Sequence, residues 1–318
     1  MRRLAVTAVL AALAFAGCGG SDDGETPAGD PRDLISRLPA AGPDRDSGSY
    51  TDLLAARKQL GLPNDADIAG FEPGAEGELR PLHVLPAELR LANAAGLNLA
   101  YLALPADTPI ASALDSGAIE EAASSVVLGG GAVNVIRTSQ PFDEISDSLA
   151  EDGYERRGEL LVADGVLSSI VYRAVADAGD GVIVLAGSEE AAQAALDTPE
   201  DVSGSRRTLL ELPGAQRVVG RPLGQSCITS VSVWSDLGPP EGELVFGVEG
   251  DASADAVKID DYSPLGPEAD AQVADFGDPE DEGSTVRVPY EYDPSELSDP
   301  VLRLLAGDIP LDEIYDCG

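Results

Sequence analysis

Of the side chains in this 318-residue chain that could do chemistry, histidine is the scarcest, with His83 the only one. Any Ser-His or Cys-His nucleophile system must use it, because the imidazole is the base that takes the nucleophile's proton. It stands in Pro81-Leu82-His83-Val84-Leu85 without a partner motif and reads as a surface or hydrogen-bonded histidine. Gly224-Gln225-Ser226-Cys227 begins like a nucleophile elbow but lacks the second glycine that lets strand and helix pack closely. Neither Lys58 nor Lys258 has a serine three residues before it, so no Ser-x-x-Lys dyad exists.

Gly129-Gly130-Gly131 would let backbone N–H groups approach an anion. A phosphate site also needs the positive end of a helix, and here a strand is expected to follow, so a plain turn is the reading. The run Asp275, Asp278, Glu280, Asp281 and Glu282 offers hard oxygen ligands of the kind calcium takes, without the ordered spacing or turn glycine of an EF-hand loop. It reads first as a solvated acidic run, with calcium the alternative. Paired carboxylates for glycoside hydrolysis are untestable by sequence, since 57 acidic residues supply many pairs and separation in space decides. No catalytic residue, metal ligand or cofactor is assigned.

The first residues form three blocks. Arg2 and Arg3 carry positive charge, Leu4 to Phe15 is apolar, and Ala16-Gly17-Cys18 follows. This is the layout of an export signal, with an apolar run shorter than the roughly 20 residues a permanent span needs. Phe15-Ala16-Gly17-Cys18 resembles the lipobox of bacterial lipoproteins, with Phe15 where that class usually has Leu. The resemblance covers residues 1–18 alone. It implies cleavage before Cys18 and a diacylglycerol thioether on that cysteine, with acyl chains such as palmitate. Two or more chains anchor durably where one does not, since each buried CH₂ contributes about 0.8 kcal/mol. General secretion fits the residues after Arg2-Arg3 better than twin-arginine export, which stays the alternative.

With Cys18 taken by lipid, Cys227 and Cys317 remain as a pair, and outside the cytoplasm they are expected to be oxidised. Such a bridge closes a loop of about 90 residues and contributes roughly 4–5 kcal/mol on the chain-entropy model. Two cysteines so far apart, with one histidine in the chain, make neither a CxxC nor a zinc site. The net charge is −37, which excludes nucleic acid as a partner because phosphate binding needs basic patches. Anionic lipid headgroups would also repel the body, so the membrane is reached through the lipid on Cys18. Aromatic residues make up 4% of the chain, which argues against a stacking platform for sugars or single strands.

The elements that must position any site begin after Gly19 to Pro31, a polar Gly- and Pro-rich run expected to be a flexible tether. Thr51 or Asp52 caps a helix bearing Leu53, Leu54 and Leu60, ended by Gly61. The apolar stretch Leu85 to Leu104 carries Glu88, Arg90, Asn93 and Asn98, so it is expected to bury in protein and not in lipid. Between Ala132 and Asp197 the order is strand (133–136), helix capped by Ser139, strands at 159–163, 170–175 and 182–186, and a helix capped by Ser188. Ala178-Gly179-Asp180-Gly181 marks a hairpin. A second hairpin, 228–233 with 244–248, precedes a short helix at 253–258, so segments 170–197 and 228–259 resemble a degenerate hairpin-helix repeat. Residues 285–290 read as a strand, and Ser298 opens a last helix.

The expected fold is α+β, with mainly antiparallel sheets and helices packed on one face. The expected division is a signal peptide (1–17), a lipidated cysteine with linker (18–48), an α+β domain (49–200) and a second α+β segment tied by the disulfide (201–318). The function read from these features is a membrane-anchored extracytoplasmic lipoprotein acting as a non-catalytic binding module for a protein or small ligand. A solute-binding lipoprotein of a transporter is the alternative, and an envelope hydrolase a third.

Overall fold

A computed structural model of the chain describes residues 30–39, 47–66, 71–73, 79–81, 108–127, 131–163, 172–197, 202–220, 227–238, 240–258, 275–291 and 315–317. The stretch 85–104, the helix expected after Ser298, and the first 29 residues lie outside them.

The strands pair antiparallel throughout. They are β1 (Gly48–Asp52), β2 (Phe71–Pro73), β3 (Leu79–Pro81), β4 (Ile119–Val127), β5 (Gly131–Thr138), β6 (Tyr154–Arg157), β7 (Leu160–Ala163), β8 (Ala174–Gly179), β9 (Val182–Ala186), β10 (Gln216–Gly220), β11 (Ile228–Leu237), β12 (Pro240–Val248), β13 (Asp275–Phe276), β14 (Glu280–Glu282) and β15 (Thr285–Glu291). β2 and β3 form a small sheet of their own. The rest make a 13-stranded sheet in the order β13-β15-β12-β11-β10-β1-β4-β5-β9-β8-β7-β6, with β14 also on β15. The architecture is α+β, as the sequence predicts. The first strand joins its two halves, because β1 pairs with β4 on one side and with β10 on the other.

Side-chain alternation gives the sheet two apolar faces. On β5, Ala132 and Ile136 join one cluster while Val133 and Val135 join the other. On β9 all five residues are buried, split the same way between the two. Helices α1 (Pro31–Ile35), α5 (Glu189–Leu196) and α6 (Ser205–Glu211) share one cluster through Leu34, Ile35, Ala192, Ala195 and Leu209. Helices α2 (Leu53–Gln59), α3 (Pro109–Ala113) and α4 (Phe142–Glu151) enter the other through Leu53, Ala56, Ile110, Ile145 and Leu149. Each leucine or isoleucine among them contributes about 1.5–3 kcal/mol of transfer free energy.

Local chemistry sets the ends of these elements. Asp52 is both the last residue of β1 and the cap of α2, accepting from the Ala55 N–H at 2.8 Å. Ser188 caps α5 as expected, accepting from Ala191 at 3.2 Å. In the predicted hairpin, Asp180 takes φ +52° between Gly179 and Gly181, both also at positive φ, the geometry an Asp-Gly turn supplies. The two segments of the suggested repeat each fold as a hairpin followed by a helical turn, an α-helix after β9 and a 3₁₀ turn at Ala254–Ala256 after β12. One cap differs from expectation. Ser139 lies two residues too early, its hydroxyl donates to the Ala118 carbonyl, and Pro141 stands at the start of α4 without a side-chain cap. The folded body also begins earlier than Ser49, since Leu34, Ile35 and Leu38 are buried at 0–1% exposure.

Arg57 is fully buried on α2. Its guanidinium donates to the carbonyls of Ala66, Ser116 and Ile119 at 3.0, 3.2 and 2.7 Å, so the desolvated cation is hydrogen-bonded.

Candidate functional site

Three constellations assemble side chains that the sequence keeps apart. The first ties the end of the chain to the second hairpin. Cys227 precedes β11 and is bridged to Cys317 with Cα atoms 5.7 Å apart, the disulfide expected for this pair. Around it, Tyr315 forms a bridge with Val257, Asp316 donates its N–H to the Ala256 carbonyl, and Lys258 meets Asp316 at 2.7 Å. The Tyr315 ring, 4% exposed, sits 6.1 Å from Phe246, and its hydroxyl accepts from the Ser253 N–H at 3.1 Å. A covalent bond, two ladder-like backbone contacts and one buried aromatic hold the tail in place.

The second is a polar row crossing β10, β1, β4 and β5 on the face covered by α1, α5 and α6. Register sets it, because Arg217 lies opposite Tyr50, Asp52 opposite Glu121, and Glu121 opposite Arg137. The Tyr50 hydroxyl donates to Glu121 Oε1 at 2.9 Å, and Arg137 Nε donates to Glu121 Oε2 at 2.8 Å. Arg137 also reaches Asp33 on α1 at 3.4 Å, while the Arg217 guanidinium lies 5.1 Å over the Tyr50 ring.

Burial shapes the titration of this row. Glu121 is 1% exposed, and desolvation raises its pKa above the ordinary carboxylate value against the opposing pull of Arg137 and Tyr50. Asp52 is raised as well, by burial, with the backbone N–H groups of α2 opposing. The Tyr50 phenol is pushed well up by burial and by the charges of Glu121 and Asp52. Desolvation lowers the Arg137 pKa, but its contacts with Glu121 and Asp33 outweigh that and leave it raised. Both Glu121 oxygens already accept from protein donors, so the row is built to hold charge inside the fold and to fix α1 to the sheet.

A third group sits on the other face. Asn134 Nδ2 donates to the Tyr172 hydroxyl, and the Tyr154 hydroxyl donates to the Tyr172 carbonyl at 2.6 Å. Burial, with Asp152 nearby, pushes the Tyr154 phenol up to about 12. Asn134 is 1% exposed, and its side-chain carbonyl has no hydrogen-bond partner.

Among the residues singled out by sequence, Cys18, His83, Gly129, Gly130 and Gly224 to Ser226 lie outside the described residues. Gly131 opens β5, and a strand does follow the glycines. Asp275, Asp278, Glu280, Asp281 and Glu282 are all exposed along the β13–β14 edge, with Asp281 accepting from the Ala254 N–H at 3.1 Å. Among the described residues, no three His, Cys, Asp or Glu side chains gather where they could hold a metal ion. The Tyr50-Glu121-Arg137 row carries no sequence signal, since its members are 71 and 16 residues apart and meet only through register.

No protein-family model matches the chain, and no curated protein matches it. Among solved structures, crystal form I of TP0453 is similar at 8% identity and a TM-score of 0.44, covering 87% of this chain and 98% of that one. Crystal form III of TP0453 is similar at 9% identity and a TM-score of 0.47, covering 86% and 98%. Among the described residues, no helix is long and apolar enough to cross a membrane, a statement that does not bear on strands.

Proposed function

We propose that this chain is an extracytoplasmic lipoprotein, cut before Cys18 and held to a membrane by lipid on that cysteine, whose sheet-based body binds a partner and does no chemistry of its own. The observation that carries the reading is the Cys227–Cys317 disulfide. A structural bridge of that kind belongs to an oxidising compartment, where an exported chain with a lipobox-like cysteine would arrive. The polar rows support the non-catalytic half, because the buried acids are occupied by protein donors and tie elements together. Every described strand pair in the large sheet is antiparallel, which weighs against the two-lobed, parallel-strand plan of solute-binding lipoproteins.

The test is fractionation of cells expressing Cys18→Ser. The substituted protein is expected outside the membrane fraction while the parent stays within it. Equal retention of both would contradict the anchor.

A further inference from the structure

Two arginines at the contact of α1 with α6 have no carboxylate to meet. Elsewhere Arg137, Arg157, Arg207, Lys258 and Arg287 each pair with an acid at 2.7–3.1 Å. Arg206 on α6 is 6% exposed, and its Nη1 donates to the Leu38 carbonyl at 3.1 Å. Arg37, directly before Leu38, holds its Nε buried and without a hydrogen-bond partner. Among the described residues, neither has an acid within ion-pair distance. The acids of the two helices are engaged in other ways. Asp30 caps α1 and accepts from the Arg32 N–H at 2.9 Å, Asp33 reaches Arg137 at 3.4 Å, and Glu211 pairs with Arg207 at 2.8 Å.

A guanidinium removed from water is costly unless acceptors or a counterion replace its hydration. One carbonyl engages only part of the Arg206 donor fork, and Arg37 Nε has no acceptor at all. In a chain with 57 acidic residues, no side-chain carboxylate has filled the place, so the missing counterion comes from outside the chain. Planar guanidinium forks match phosphate oxygens, and one phosphate offers acceptors to two forks at once.

We propose that the α1–α6 contact binds a phosphate group through Arg37 and Arg206, and that an anionic phospholipid headgroup supplies it. This deepens the proposed function by naming a ligand, and its headgroup half rests on the lipid anchor at Cys18. Asp30, the cap of α1, stands 12 residues after Cys18. A chain of that length spans at most about 43 Å, so the site is confined to the neighbourhood of the headgroups. The net charge of −37 would not by itself bring this body to anionic lipid. The anchor supplies the encounter, and at physiological ionic strength the screening length is about 8 Å, so contact with two unpaired guanidiniums outweighs distant repulsion. Engagement turns the face covered by α1, α5 and α6 toward the bilayer.

The test uses the mature lipoprotein purified in a phosphate-free detergent. Inorganic phosphate is titrated in and followed by phosphorus-31 NMR, with ionic strength held constant by chloride. Saturable binding is expected for the parent and for Arg207→Gln, whose arginine is exposed and paired within α6. Arg37→Gln and Arg206→Gln are each expected to weaken it by roughly tenfold or more. Urea unfolding in chloride shows which variants fold, and the half-buried Arg37 keeps the test decisive if Arg206→Gln does not. A parent that does not bind saturably, or a folded Arg37→Gln that binds as the parent does, overturns the site. A second arm separates the sources of phosphate. In vesicles of phosphatidylglycerol with phosphatidylcholine, hydrogen exchange at 30–38 and 204–212 should be slower by about threefold than in phosphatidylcholine alone, and Arg37→Gln should abolish the difference. Equal exchange in both vesicles, with phosphate still bound in solution, overturns the headgroup and assigns the site to free phosphate. An unmodified Cys18 in the intact mass removes the anchor without touching the phosphate titration, which then decides the site alone.

Discussion

Tyr50 donates its phenolic hydrogen to Glu121 at 2.9 Å across neighbouring strands, and the acceptor is a carboxylate with 1% of its surface exposed. The bond lies where β1, β4 and β5 meet α1, so it reports on the packing of the whole N-terminal half. Tyr50→Phe keeps the ring under Arg217 and removes one donor from a buried acid. The expected loss is about 1–3 kcal/mol, measured by urea unfolding at pH 7. An unchanged midpoint would show that Glu121 is hydrated and that the row is not closed.

Acid should favour this fold. Burial raises the folded-state pKa of both Asp52 and Glu121, so folding takes up protons at these sites. Their contribution is complete below the unfolded values near pH 4 and is lost as pH rises through the folded ones. Their contribution to stability is therefore expected to decline as pH rises above the unfolded values. Asp52→Asn keeps an oxygen that can cap α2 and removes one titration, so it should flatten that slope without lowering stability at pH 7. A parent protein that gains stability over this range would reverse the sign argued here.

Glycine is required at position 242 by a close approach across the sheet. A Cβ there would lie 2.6 Å from the Tyr290 ring and would also run into the Trp234 carbonyl. Gly242→Ala should cost about 1–3 kcal/mol through forced displacement of β12 from its neighbours. Gly283→Ala, at φ +66° in the turn at the far end of β15 with nothing within 4 Å, shows the cost of positive φ alone for comparison.

The strands at 133–136, 182–186 and 285–290, the Ser188 cap and the Asp180-Gly181 turn were legible in the sequence because each signal is local: apolar runs, a hydroxyl before a helix, a turn pair. β6 escaped notice because Glu155, Arg156 and Arg157 face solvent at a sheet edge and leave only Tyr154 as an inward residue. α1 escaped because five residues carry no periodicity, although Asp30 before Pro31 is a start signal that could have found it. Strand order depends on partners far apart, as when β1 joins β10, and no spacing within either strand encodes that pairing. The cysteine pair was legible by elimination; the polar row was not, since register alone creates it.

Where the folded body starts is open to a deletion test. Removing residues 18–29 should leave the unfolding midpoint unchanged. Removing residues 18–46 exposes the sites of Leu34, Ile35 and Leu38 and breaks the Asp33–Arg137 pair, so the midpoint should fall sharply. Leu→Ala or Ile→Ala at any one of the three is expected to cost about 2–5 kcal/mol. Equal midpoints for the two deletions would place α1 outside the cooperative unit.

Reduction should loosen the tail before the sheet. Cys227→Ala with Cys317→Ala removes a closure of 90 residues, an expected loss of up to about 4–5 kcal/mol on the entropic model. Hydrogen exchange should then rise at 315–317 and at the 253–258 segment it pairs with, while β4, β5 and β9 keep their protection. Uniform exchange with no local change would remove the bridge from any structural role.

The account turns on lipid at Cys18, and intact-mass analysis of the mature protein from native membranes tests it most directly. The predicted species begins at Cys18 and carries a diacylglycerol mass on that residue, with Cys227 and Cys317 joined. A mature chain that begins elsewhere, or an unmodified Cys18 in membrane-derived protein, would contradict it.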